Sequence, residues 1–116
     1  MPVPERGDLV WMDFSPQAGS EHQGRRPALV LSPQAYHHKT PLTVVCPITS
    51  KVKQYPFEVM LPEGPPIQGV ILADQIRSLD RDVRKMQKAG SVPTAIVEEV
   101  QLKLAALLGI NDILTE

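Results

Sequence analysis

The sequence predicts a mainly β domain closed off by one C-terminal helix, on three observations. Twelve prolines and seven glycines interrupt the 116 residues every ten or so positions, the spacing of short strands in a barrel or sandwich. The apolar segments between them are short and rich in Val and Leu. A helical apolar stripe occurs only near the end. The length suits one domain, here residues 1–116, with a single core and no room for a second.

Taken in order, Leu9 to Phe14 alternates and reads as a strand buried mainly through Val10, Met12 and Phe14. Ala28 to Leu31 and Leu42 to Cys46 are continuous apolar runs of the kind found in central strands. Pro47 has no amide proton, so it should mark an edge, a bulge or the end of the second run, with Thr49 and Ser50 at the exit. Phe57 to Leu61 alternates again, Val70 to Leu72 is a short buried run after Gly69, and Ile76 to Leu79 alternates apolar with polar. Six short strands result. The helix begins near Pro93 and places Val97, Val100, Leu104, Leu107 and Leu108 on one stripe, with Glu98 and Glu99 near its start and Gly109 as its stop.

A hydrophobic fraction of 42% and a charged fraction of 22% are those of a globular chain. No apolar run approaches the roughly 20 residues of a membrane span, and the first residues lack the apolar stretch of a signal peptide, so the cytoplasm is the expected location. The lone Cys46 lies in an apolar run and reads as a buried packing residue. His37 and His38 are adjacent and are expected in a surface turn beside Lys39, not on a shared metal. No zinc-type Cys and His spacing, paired carboxylates or phosphate-cradling glycine loop is present, so neither a metal nor another cofactor is expected.

The net charge of −1 hides an uneven distribution. Residues 77–88 carry Arg77, Arg81, Arg84, Lys85 and Lys88 against two aspartates, a balance of +3, whereas residues 93–116 come to −3. If the first group shares a face with Arg25, Arg26, Lys51 and Lys53, the domain has a basic groove and an acidic back. The polar loop from Gly19 to Pro27 feeds Arg26 into the start of the second strand, where a guanidinium fork is prepared for phosphate or carboxylate. Three basic residues sit near a hydroxyl at strand ends: Arg26 with Ser20, Lys51 with Thr49, and Arg77 with Ser78. On these features alone a solvated surface loop remains an alternative to an anion site.

Several segments together resemble the MazF/PemK family of toxin endoribonucleases. They are Arg6-Gly7-Asp8, Trp11 to Pro16, Gly19-Ser20-Glu21 to Arg26-Pro27, Tyr55 to Val59, and Ala73 to Ser78. The resemblance implies an SH3-like barrel of the CcdB/PemK toxin type with a terminal helix. It also implies a homodimer, cleavage of single-stranded RNA without metal, growth inhibition, and restraint by a small antitoxin, whose complex with the toxin binds DNA. Position by position, it makes Arg26 and Thr49 catalytic and links Glu21 and Lys53 to activity or substrate contact. Ser20, Gln75 and Ser78 fall on positions that line the RNA channel.

Charge and position add His22, Arg25, Lys51 and Arg77 as substrate contacts. The chain departs from the family at His22, where glutamine is usual, and at Gln23, where a small residue is common, so base preference is not carried over. An arginine side chain gives up its proton only at a pH of about 12.5 to 13.8 and is a poor proton carrier, so Arg26 and Thr49 are read as stabilisers of phosphate charge. Glu21 or His22 could then assist the 2′-OH. Two other readings stay open: a non-cutting toxin of this barrel type that binds a protein such as a topoisomerase, and an RNA-binding barrel that does not cleave.

Overall fold

The computed structural model describes residues 2–14 and 24–114. Seven strands run in the order β1 (Asp8–Asp13), β2 (Arg25–Val30), β3 (Leu42–Thr49), β4 (Glu58–Met60), β5 (Val70–Leu72), β6 (Arg77–Asp80) and β7 (Gln87–Ser91). Three helices accompany them: α1 (Gln34–His37), α2 (Thr94–Leu108) and α3 (Ile110–Leu114). All pairings are antiparallel, along the path β4-β5-β3-β2-β1-β7, and β6 adds to β3 beside that path. No β4–β7 pairing occurs among the described residues, so the barrel-like sheet keeps an open seam.

The eight-residue strand β3 is the hinge of the sheet. One side pairs with β2, while the other pairs first with β6 at Leu42 to Val45 and then with β5 at Ile48 and Thr49. Pro47 lies inside this strand, not at its end as its missing amide suggests. The oxygen of Val44 accepts the Leu31 amide, so even-numbered residues of β3 turn their backbone groups to β2 and Pro47 turns away. There β6 has finished and β5 has not begun, and the absent N–H leaves no ladder bond unmade.

Both faces of the central strands are buried. Leu9, Leu29, Cys46, Ile48, Val59 and Ile71 pack with Val97, Val100 and Leu104 of α2 in one cluster. Val10, Met12, Phe14, Ala28, Val30, Val45 and Leu79 form a second on the opposite face. Val10, Met12 and Phe14 are buried as the alternation predicts, and Leu9 is buried as well. Trp11, on the other face of that alternation, is 39% exposed opposite Pro27 and Gln87. Each fully buried side chain of the size of Phe14 is worth about 1.5–3 kcal/mol of transfer free energy.

In α2 the apolar stripe is buried only as far as Leu104; Leu107 and Leu108 are exposed. Pro93 serves as N-cap and Gly109, at φ 72°, ends the helix in the left-handed conformation. Strand β7, Gln-Lys-Ala-Gly-Ser, lacks an apolar alternation and forms by pairing along β1. His37 corrects the surface-turn expectation: it is 1% exposed, with Nε2 2.6 Å from Ser32 Oγ and Nδ1 2.7 Å from the Pro4 carbonyl oxygen. Nδ1 joins α1 to the N-terminal segment, and Nε2 joins it to the residue that follows Leu31. Cys46 is buried as expected, 3.8 Å from the Ala73 oxygen, and burial followed by the nearby charge of Asp74 pushes its thiol up to about 12.

Candidate active site

The two principal candidates lie at the adjoining ends of β2 and β3. The register pairs Val30 with Val45, Leu29 with Cys46, and Ala28 with Pro47, and Arg26 and Thr49 each lie two residues beyond that last pair. Side-chain alternation puts both on the face of Val30, Ala28 and Val45, the face of the second cluster. The same logic adds Arg77, which pairs with Val45. Its guanidinium carbon lies 5.4 Å from the centre of the Phe14 ring.

Each member is held by local structure. Arg26 precedes Pro27, which keeps its backbone extended, and Gly24 at φ 81° turns the chain into the strand. Thr49 ends β3, where its Oγ1 accepts the Lys51 amide at 3.1 Å. That bond leaves the hydroxyl proton for an outside acceptor. Gly69, at φ 123°, presses on the same residue from β5: a Cβ there would stand 2.2 Å from the Thr49 carbonyl oxygen. Burial first, then the like charge of Arg84, draws the Arg77 guanidinium below its usual range. No carboxylate pairs with Arg77 among the described residues, so an arriving anion would relieve that cost.

Other candidates are placed elsewhere. Arg25 points to the opposite face of β2 and gives its guanidinium to Asp13 Oδ1 at 3.3 Å, the Lys85 carbonyl oxygen at 2.9 Å and Gln87 Oε1 at 3.3 Å. Ser78, paired with Val44, faces away from its neighbour Arg77, so the expected cation and hydroxyl partnership there does not form. Gln75 is exposed in a short 3-10 turn, Ala73–Gln75, that packs near α2. Lys51 and Lys53 are exposed on the loop that follows Thr49. Ser20, Glu21 and His22 lie outside the described residues.

The basic segment 77–88 is divided in the same way. Arg81 donates to the oxygens of Thr40, Leu42 and His37 and to Thr43 Oγ1, and Lys88 pairs with the buried Asp8 at 3.4 Å. These two brace the fold and do not join a groove. The acidic Glu98 and Glu99 do sit on α2, across the sheet from Arg26 and Thr49. Among the described residues no three His, Cys, Asp or Glu side chains gather as metal ligands, and no helix is long and apolar enough to cross a membrane.

Residues 5–108 match the model of the PemK-like, MazF-like toxins of type II toxin-antitoxin systems. The chain belongs to this family. The MazF endoribonuclease toxin of Escherichia coli K12 is 44% identical over 107 residues, 92% of this chain and 96% of that one. Crystal structures from Deinococcus radiodurans superpose closely. Its MazF matches with a TM-score of 0.87 and 52% identity, over 92% of this chain and 97% of that one. Its MazE-MazF complex matches with a TM-score of 0.85 and 51% identity, with the same shares of each chain covered. Membership in the PemK-like, MazF-like family thus rests on nearly the whole domain, with the Arg26–Thr49 strand ends inside it.

Proposed function

We propose that this protein is an endoribonuclease toxin that cuts single-stranded RNA without a metal ion, in the cytoplasm, as a homodimer restrained by a cognate antitoxin. Relatives named as endoribonuclease toxins support the activity, and a relative crystallised as a MazE-MazF complex supports the antitoxin. The observation that carries the reading is the β2–β3 register, which ends at Ala28 and Pro47 and leaves Arg26 and Thr49 two residues further along the adjoining strand ends.

In the proposed reaction a ribose 2′-oxygen attacks the adjacent phosphorus, the bond to the 5′-oxygen breaks, and a 2′,3′-cyclic phosphate and a 5′-OH remain. Negative charge grows on the nonbridging oxygens as the pentavalent centre forms. The Arg26 guanidinium and the Thr49 hydroxyl proton are donors for those oxygens, and fixed donors of this type act without reorganising during the reaction. Arg77 supplies further positive charge on the same face. Lys51 and Lys53 extend it past the end of β3. Glu21 or His22 takes the 2′-OH proton in this scheme, the departing 5′-oxygen takes a proton from solvent water, and single strands are favoured because their bases can be splayed out and read.

The test is incubation of the protein with single-stranded RNA in chelator, beside the same oligonucleotide with 2′-deoxy sugars. Cleavage confined to the ribose form, with cyclic phosphate ends, is the expected result. Binding without cutting, or no interaction at all, would overturn it.

A further inference from the structure

We propose that Tyr55, with Lys53 laid against its ring, is a stacking platform for one unpaired base of the bound strand, and that Glu58 is the positioning residue that holds this platform in the loop that follows Thr49. This rests on the RNA-cleaving function proposed for the same site. The loop from Ser50 to Phe57 leaves β3 directly after Thr49, and its first turn is fixed by the Lys51 amide bonded to the Thr49 hydroxyl. Its far end is fixed by Glu58. The Glu58 carboxylate accepts the Lys53 amide at 3.2 Å on each oxygen and the Gln54 amide at 2.8 Å on Oε1. Its own amide donates to the Tyr55 oxygen at 3.0 Å. Lys103 of α2 donates to the Pro56 oxygen.

This bracing has a purpose that packing does not supply. Gln54 sits at φ 60°, a left-handed conformation that is unfavourable for a non-glycine residue, and bonds from two successive amides to one carboxylate hold the turn there. Yet the residue it presents is 60% exposed, the most exposed of the chain's five aromatic side chains. An ordered loop that keeps an aromatic ring in water offers a flat apolar face to a ligand. The Lys53 ammonium lies 5.8 Å from the ring centre, which puts a cation for a phosphate beside the stacking surface. Flat ring and cation, on the loop that leaves the end of β3, together match one nucleotide of a single strand, and every base has a face to stack.

The experiment measures cleavage kinetics on a single-stranded RNA that the wild type cuts, and 2-aminopurine fluorescence of the same oligonucleotide with a 2′-deoxy sugar at the scissile position. Tyr55→Ala should weaken binding about tenfold, with KM rising far more than kcat falls, and should abolish part of the 2-aminopurine quench at one position. Tyr55→Phe should keep both. Glu58→Ala should share the KM defect, and Tyr55→Ala combined with Glu58→Ala should be no worse than Tyr55→Ala alone. Unchanged KM and quench in a folded Tyr55→Ala variant would overturn the proposal, as would a loss confined to antitoxin binding. A wild-type protein that neither cuts nor binds single strands overturns the proposed function as well, and that failure is visible before any variant is made.

Discussion

On one face of β2, Arg25 is enclosed by Asp13, the Lys85 carbonyl and Gln87; its neighbour Arg26 lies on the other face, at the strand end that adjoins the end of β3. Two residues of one type, adjacent in sequence, are thus separated by the pleat of the strand. The first links β2 to β1 and to the start of β7. The second stands where two strand ends meet a third cation, Arg77. The face a strand residue occupies decides which groups its charge can reach.

This contrast is broken most directly at Arg26. Arg26→Ala should lower turnover by about 10²–10³-fold, the usual loss for a fixed transition-state donor, with an unchanged circular dichroism spectrum and melting temperature. If cleavage survives undiminished, the difference between the two arginines has no catalytic meaning. Gly69→Ala comes next, because its Cβ would collide with the Thr49 carbonyl and its φ of 123° disfavours any side chain. The expected outcome is a loss of about 1–3 kcal/mol in denaturant unfolding, with a fall in turnover from displacement of Thr49.

Arg25→Ala sharpens the comparison from the other side. Its contacts are half exposed, so the variant should lose only about 0.5–1 kcal/mol of stability. Turnover should fall severalfold at most, which melting and steady-state kinetics would check. The smallest effect concerns Cys46. Its thiol is raised in the fold from an ordinary 9.0 to about 12, so the stabilisation tied to its neutral form is fully present below 9 and is lost as pH rises toward 12. At pH 8 a thiol-alkylating probe should label the protein only after denaturant is added.

Much of the fold is legible in the sequence because its signals are local. The alternation in β1, the apolar runs of β2 and β3, and the Pro93 and Gly109 limits of α2 each reflect a period or a backbone preference that needs no distant partner. Strand β7 is not legible, since Gln87 to Ser91 pairs along β1 without an apolar face of its own. His37 escapes a local reading for a related reason: what buries it is a pair of hydrogen bonds to Ser32 and Pro4, one of them 33 residues away. Pro47 reads as a strand end because a sheet usually leaves no gap in a ladder, and here the handover from β6 to β5 provides one.

The site divides along the same line. Family resemblance points to Arg26 and Thr49, but that they lie at adjoining strand ends follows from the β2–β3 pairing, which no single segment encodes. Arg77 and Ser78, neighbours in sequence, invite grouping by proximity, and the pleat sends them to opposite faces. The commitment of Arg25 and Arg81 to carbonyl oxygens rests on contacts up to 60 residues apart. The one sequence cue for Arg25 is the acidic Asp13 on the preceding strand, and that cue becomes useful only once β1 and β2 are known to pair.

The central claim is that Arg26 and Thr49 act on one phosphate group. A double-mutant cycle in single-turnover cleavage tests it, with Arg26→Ala, Thr49→Ala and the combined variant compared on one single-stranded RNA. The combined variant should lose clearly less than the product of the two single losses, because either change alone disrupts the shared stabilisation. Strictly multiplicative losses, or full activity in either single variant, would contradict the claim.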